Sequence, residues 1–320
     1  MEPFSLILIT HVFTFFLGLV VSKVHNNSQG FLNPLLSNLS QIKSGLSDWF
    51  SFGRSRAAKA NRLLDQVSVE LLDRYQVEEK YDKSTWQRKA YDDFTGALVA
   101  KDKIFPCIYG TKGYKANELD FLFLESEDLN NLEIAKVGAK AIVEYHKILQ
   151  SRGRNISLVL LCPPPKIERS VEEYHKIFWS FLKRLRQLDP KPWPKKIPHD
   201  TQNRQWCMNF DGLEAFFAVL TPAHKQRRSR SAPNFAMVYQ PRMIFDIIFK
   251  DPRYRESATR TVRGLVDKYD EIPHSPDISD YAREGTTESR QYFLLDKNET
   301  ADCPYDDLEA AVQKEKLNMA

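Results

Sequence analysis

Apolar residues recur along most of this 320-residue chain at spacings typical of helices and strands. From residue 86 onward, 3.6-residue periodicity predicts helices over residues 86–100, 131–151, 171–188 and 243–249. Ser170 and Glu173 carry the capping-box signature at the start of the third helix. Short apolar runs predict strands over 119–124, 156–161, 206–210, 215–220 and 235–239, with a hairpin turn at Asp211-Gly212. Helices and strands do not alternate strictly, so we predict an α+β fold with a largely antiparallel sheet covered by helices.

An apolar run near the N-terminus indicates a membrane segment. Residues 4–21 contain no charged side chain, and as a helix rising roughly 1.5 Å per residue they just span a hydrocarbon core of about 30 Å. No lysine or arginine precedes the run, and five follow it by residue 59. The positive-inside rule therefore predicts a transmembrane anchor at residues 1–22, in a single-pass protein whose domain faces the cytoplasm. A signal peptide cleaved near Ser22, with entry into the secretory pathway, is the alternative.

The composition divides the rest of the chain. Residues 23–56 are rich in Ser and Asn and are predicted to form a tether. Apolar residues at helical spacing predict a lead-in helix over 57–83. The compact domain is expected over 84–300, with a C-terminal tail over 301–320.

Charge and motif content exclude several protein classes. Lys and Arg number 46 against 42 acidic residues, a net charge of +4, which does not favour a nucleic-acid binder. The four cysteines form no CxxC pair, which argues against a zinc ribbon and is typical of a reducing compartment. The sequence lacks HExxH, GxxxxGK[ST], GxGxxG and GxSxG, so common protease, nucleotide and hydrolase functions lose their usual support.

One segment concentrates positive charge between two predicted strands. Residues 221–230 read TPAHKQRRSR, and Gln240-Pro241-Arg242 follows the next strand. Charge flanked by segments that favour burial predicts a sheet-borne loop, here Arg227–Arg230, that presents cations and one imidazole, His224, to an anion.

Several motifs together resemble a known family. FPCIYGTKG at 105–113, PWP at 192–194 with Ile197-Pro198, PAH at 222–224 with RSR at 228–230, and QPR at 240–242 occur in the order seen in the YqcI/YcgG family. The likeness covers about residues 84–298, so the N-terminal anchor resembles an addition to the family's domain. Some relatives are haem-dependent enzymes that hydroxylate a nitrogen of arginine or a related guanidine in natural-product pathways. The resemblance therefore implies haem b, dioxygen and a separate reductase.

Two residues are alternative haem-iron ligands and catalytic candidates under this resemblance. Cys107 is predicted to sit at a turn where backbone amides stabilise a thiolate, a ligand that favours O–O cleavage. Gly110 would allow close approach of a macrocycle. His224 is the rival ligand, beside cations suited to propionates. A buried structural thiol and a turn-capping histidine are the corresponding structural interpretations.

The remaining site predictions concern charge. Arg228, Arg230, Arg242 and Lys112 are expected to bind the cofactor's anionic groups. A guanidinium substrate needs a carboxylate, for which the candidates are Asp211, Glu214 and Glu118. We predict a membrane-tethered haem-dependent N-oxygenase (N-hydroxylase) of a small amine or guanidine. The alternative is a non-enzymatic module that binds an anionic metabolite or lipid headgroup through the Arg227–Arg230 loop.

Overall fold

The structure, a computed structural model, describes residues 56–317. Within this range five strands form one sheet in the order β1-β2-β5-β4-β3. Only β1 and β2 run parallel, while the other neighbouring pairs are antiparallel. The α+β fold with a largely antiparallel sheet is thereby confirmed. The strands are β1 (Leu119–Phe123), β2 (Ser157–Leu161), β3 (Met208–Phe210), β4 (Leu213–Leu220) and β5 (Ala236–Pro241).

Helices cover both faces of the sheet. Four of them match the predicted helices closely in position, and the capping box of Ser170 and Glu173 is present. After a helical segment at residues 56–64, the helices in chain order are α1 (Arg74–Lys80), α2 (Trp86–Val99), α3 (Ile108–Lys115), α4 (Leu132–Arg152), α5 (Val171–Gln187), α6 (Met243–Ile248), α7 (Pro252–Tyr269), α8 (Ser289–Tyr292) and α9 (Leu308–Leu317). A single 3₁₀ turn (Arg228–Arg230) precedes β5.

The two faces of the sheet are covered differently. On one face, Leu160 and Phe217 pack with Trp179 of α5 in the larger core cluster. On the other, Phe121 and Val159 pack against α1 and α2 in a smaller cluster. Most residues of the smaller cluster belong to β1, β2 and the helices beside them. The rest of that sheet face borders a cavity.

Both ends of the predicted domain differ from the sequence expectation. The lead-in helix predicted over 57–83 is broken, because residues 56–64 are helical, Leu72 bridges to Phe121 of β1, and only α1 follows. Asp73 starts α1 with its own capping box, which ends the extended segment. At the other end, Glu309 of α9 pairs with buried Arg186 of α5, so residues 308–317 pack on the domain and are not a free tail.

No helix within residues 56–317 has the length and apolar character needed to cross a bilayer. The predicted anchor, residues 4–21, lies outside the described residues, as does nearly all of the predicted tether. The anchor and the cytoplasmic orientation therefore stay predictions.

Candidate functional site

A cavity of about 540 Å³ lies on the sheet face left open by α1 and α2. Its floor is formed by strand residues that include Val159, Phe216, Ala218 and Val238, and α2, α6 and α7 contribute to its walls. The volume falls within the roughly 300–1,000 Å³ of small-molecule and cofactor pockets. An apolar floor with a few charged groups around it suits a ligand of mixed character.

Cys107 lines this cavity as the N-cap residue of α3. Its Sγ accepts a hydrogen bond from the backbone N–H of Gly110 at 3.3 Å. The predicted turn is thus a helix N-terminus, where N–H groups favour an anionic sulfur. Cys107 is an exposed residue whose side chain lines the cavity. Burial raises its pKa, while the Gly110 N–H and the positive charge of Arg230 oppose that rise.

Two glycines and a lysine near Cys107 have distinct positions. Gly110 lines the cavity, and a β-carbon there would lie 3.3 Å from Cys107 Sγ. Gly113 is buried where α3 approaches Asn155, and a β-carbon there would lie under 3.0 Å from the Asn155 oxygen. Lys112 is exposed and lies over the Tyr109 ring, with its Nζ 5.6 Å from the centroid. Lys112 does not line the cavity, so the structure does not bring it together with Cys107.

The arginines predicted to form one cationic loop have three different environments. Arg227 is fully buried and donates to the backbone oxygens of Leu295, Pro273 and Lys297. Arg228 is exposed and pairs with Glu271. Arg230 lines the cavity, and its buried Nε has no hydrogen-bond partner among the described residues. Of these three loop arginines, only Arg230 is available to an anion inside the cavity.

His224 lies apart from the cavity lining. Its Nδ1 is 2.8 Å from Thr221 Oγ1, and its Nε2 is 2.8 Å from the backbone oxygen of Leu294. Burial lowers its pKa to about 4. Both ring nitrogens are occupied by neighbours, an arrangement typical of a structural histidine.

Arg242 lies at one end of the cavity between two carboxyl groups. Its Nη1 donates to Glu288 Oε2 at 2.6 Å, and its Nε lies 3.3 Å from Glu214 Oε2. Its guanidinium carbon is 3.4 Å from the centroid of the Tyr281 ring. Arg242 thus lines the cavity, but its hydrogen-bonding groups are largely committed to protein partners.

The predicted substrate carboxylates are not in the cavity lining. Asp211 pairs with His146 and Lys191, and Glu118 accepts from the backbone and side-chain nitrogens of Asn155. Glu214 reaches the cavity only through Arg242. The carboxyl groups that do line the cavity are Asp246, Asp280 and Glu288.

Sequence reasoning missed these carboxyl groups and the arginines of α7. Arg263 lines the cavity and donates from Nη2 to the Ile278 oxygen at 3.0 Å, while its buried Nε has no hydrogen-bond partner in residues 56–317. Glu288 lies within residues 84–298, which the family likeness covers, and that position was an available signal. Among the described side chains, no group of three or more His, Cys, Asp or Glu forms a metal site.

Comparison with known proteins places the chain in a family. The model of the YqcI/YcgG family matches residues 94–306, and the chain belongs to that family. It is 34% identical over 235 residues to YcgG of Bacillus subtilis (strain 168), covering 72% of this chain and 92% of the relative. It is 31% identical over 224 residues to YqcI of the same organism, covering 69% and 87%. A Streptomyces lavendulae protein named "Putative N(omega)-hydroxy-L-arginine synthase DcsA" is 30% identical over 243 residues, covering 74% and 90%. No solved structure matches the chain significantly.

Proposed function

We propose that this YqcI/YcgG-family protein is a haem-dependent N-hydroxylase of a small amine or guanidine compound, with Cys107 as the ligand of the haem iron. The observation that carries the proposal is the Cys107 sulfur at a helix N-terminus, facing a cavity that also contains an unpaired arginine nitrogen. The DcsA relative, whose name describes an N(omega)-hydroxy-L-arginine synthase, supports the proposed substrate class.

The cavity residues fit the needs of haem. The Gly110 N–H and the α3 N-terminus favour an anionic Cys107 sulfur, and Gly110 has no side chain to obstruct a planar ligand. Arg230 and Arg263 offer unpaired buried nitrogens to carboxylate groups such as propionates. When bound, thiolate-ligated haem would supply an iron centre able to activate dioxygen.

His224 is a poorer ligand than Cys107 in this structure. Binding iron through either nitrogen would break a 2.8 Å contact, to Thr221 or to the Leu294 oxygen. The ring also lies outside the cavity lining. The proposal therefore takes Cys107 as the ligand and assigns His224 a structural role.

The cavity lining also offers carboxylates to a cationic substrate. Asp246 and Asp280 line the cavity with exposed side chains, and a carboxylate can hold a guanidinium through two parallel hydrogen bonds. Converting N–H to N–OH with dioxygen consumes two electrons and two protons and releases one water. The electrons are proposed to come from a separate reductase, and membrane tethering through residues 4–21 is proposed to confine both proteins to one surface.

The test is the spectrum of the full chain purified with a haem precursor, reduced and exposed to carbon monoxide. We expect a strongly red-shifted carbonyl Soret band that Cys107→Ala abolishes. Cys303→Ala removes a buried thiol outside the cavity lining and should keep the band. A wild-type protein that stays colourless with added hemin would refute the proposal.

A protein that stays colourless with added hemin would favour the anion-binding alternative. The positions of the loop arginines restrict where that anion would bind. Arg227 and Arg228 already have protein partners, which leaves Arg230 as the available cation of the loop. A headgroup or metabolite would therefore bind inside the cavity rather than on the loop surface.

A further inference from the structure

Glu288 places a carboxyl group at the cavity, and the proposed roles of Cys107 and the cavity arginines leave it without a function. Its residue surface is 3% exposed, and it lines the cavity beside Arg242. A carboxyl this buried is uncommon unless its oxygens have partners. Those partners determine whether it carries a proton.

One oxygen of Glu288 meets a hydroxyl whose single proton has two acceptors within reach. Tyr292 Oη accepts from the backbone N–H of Met208 at 2.9 Å, and it lies 2.8 Å from the backbone oxygen of Ala215 and 3.0 Å from Glu288 Oε1. When Glu288 is ionised, the Tyr292 proton can be donated to its carboxylate. When Glu288 is protonated, its own proton can be donated to Tyr292 Oη, while the Tyr292 proton goes to the Ala215 oxygen. The geometry thus provides a place for a protonated Glu288.

The other oxygen of Glu288 provides for the ionised form. Oε2 accepts from Arg242 Nη1 at 2.6 Å. Arg242 is shared with Glu214, so the three groups carry no net charge when Glu288 is protonated and one negative charge when it is ionised. Both protonation states of Glu288 are therefore supported by fixed neighbours.

The other titratable groups around Glu288 come from separate elements. Burial raises its pKa to about 7, Arg242 opposes this most strongly, and Glu214 adds to it. Lys196 pairs with Glu214 and adds a positive charge beside the cluster. Cys207 and Tyr281 face the same cluster, and burial raises the pKa of each of them above its ordinary value. Neither is ionised near neutral pH, so Glu288 is the member of this cluster that exchanges a proton there.

We propose that Glu288 is the proton-carrying residue of the cavity, which delivers protons to the dioxygen-derived oxygen that leaves as water. This inference rests on the proposed function. In each delivery the Glu288 O–H bond breaks, its electron pair stays on the carboxylate, and the proton passes to the departing oxygen. Arg242 stabilises the carboxylate until solvent returns the proton, and the two electrons of the reaction come from the reductase.

The first experiment uses the full chain without added haem and labelled at glutamate carboxyl carbons. Carbon NMR from pH 5 to pH 9 should show one carboxyl signal titrating near neutral pH, absent in Glu288→Gln. Glutamine keeps both contacts, since its amide donates to Tyr292 and its oxygen accepts from Arg242. Glu214→Gln removes a like charge and should lower the apparent pKa of that signal. If no glutamate signal lost in Glu288→Gln titrates above about pH 5.5, the inference is wrong whether or not the protein binds haem.

The second experiment tests delivery and needs no identified substrate. Haem-loaded protein is reduced with dithionite, freed of excess reductant and mixed with dioxygen in a stopped-flow instrument at several pH values. We expect Glu288→Gln to keep the wild-type carbonyl spectrum but to reoxidise about a hundredfold more slowly, at the low end of general acid catalysis. The wild-type reoxidation rate should bend near neutral pH when plotted against pH, and this bend should be absent in Glu288→Gln. An unchanged reoxidation rate and an unchanged pH profile in Glu288→Gln would refute proton delivery. If neither protein binds haem, the proposed function is refuted, and the NMR titration alone then shows whether Glu288 exchanges a proton near neutral pH.

Discussion

The position of α3 is the feature on which Cys107 depends, and Gly113→Ala tests it. A β-carbon at residue 113 would lie under 3.0 Å from the backbone oxygen of Asn155 and 3.0 Å from Leu119 Cδ2. The end of α3 is also tied to this region, because Glu118 donates its N–H to the Gly113 oxygen and accepts the Asn155 N–H, each at 2.8 Å. Since one overlapping atom is backbone, the helix must move to relieve the overlap.

A matched variant isolates the cost of that movement. Gly96 lies in α2, and a β-carbon there would meet nothing within 4 Å. Replacing either helical glycine by alanine gains about 1 kcal/mol of helix propensity. Overpacking of a fixed site typically costs about 1–3 kcal/mol. Because the propensity gain is common to both variants, we expect Gly113→Ala to be about 1–3 kcal/mol less stable than Gly96→Ala.

Urea unfolding followed by tryptophan fluorescence measures this difference, and hemin titration measures its consequence at the site. Gly113→Ala should bind hemin more weakly than Gly96→Ala, because the N-terminus of α3 moves with the helix. Equal unfolding free energies would show that α3 does not pack against Asn155 as described. A destabilised variant with unchanged hemin affinity would show that the position of α3 does not determine the cofactor site.

Three further predictions concern charged and titratable groups. Arg230→Ala should weaken hemin binding about tenfold or more, the scale of a lost hydrogen bond to a charged group, whereas Arg228→Ala removes an exposed ion pair and should leave the titration within about twofold. His224→Gln should keep the carbonyl band and lower the unfolding free energy by about 1–3 kcal/mol. Because burial lowers the pKa of His224 from 6.5 to about 4, the unfolded chain binds its proton more readily, so wild-type stability relative to this variant should fall as pH drops through that window. The stability contributed by Glu288 depends on pH in the opposite direction. Its pKa rises from 4.5 to about 7 in the folded state, so the folded state binds the proton more tightly. Between pH 4 and pH 8 wild-type stability should fall by about 3 kcal/mol relative to Glu288→Gln, at about 1.4 kcal/mol per pH unit, and parallel urea curves would contradict this.

Elements that bury a continuous apolar stripe were predictable from the sequence. The strands β1, β2 and β5 and the long helices α4 and α5 lie within one or two residues of their predicted bounds. Each of them contributes side chains to a core cluster. Their hydrophobic period therefore reports the burial that stabilises them.

Two of the helices that form the site, α3 and α7, were not predictable in this way. In α7, an 18-residue helix that contributes to the cavity lining, only Ala258 and Val266 are buried, so no broad apolar stripe marks it. In α3, glycines occupy two of eight positions, which lowers helix propensity. Asp251 before Pro252 was a usable start signal for α7, because Asp is a favoured N-cap and Pro a favoured first helical residue. Both helices bury few apolar side chains, and periodicity is least informative there.

The arginine-rich segment at residues 227–230 shows why the site could not be predicted from the sequence without the fold. Asp270, at the end of α7, accepts from the Ser229 backbone and hydroxyl. Asp296, from the segment after α8, accepts the backbone N–H groups of Gln226 and Arg227 at 2.9 and 2.7 Å. Neither aspartate is near the run in sequence, so spacing cannot reveal that these hydrogen bonds fix the loop. Because the loop is fixed and Arg227 is enclosed, the guanidinium of Arg230 is held at the cavity before any ligand arrives. A flexible cationic loop would order on binding an anion, whereas this one is pre-organised, and pre-organisation lowers the entropic cost of binding any anion inside the cavity.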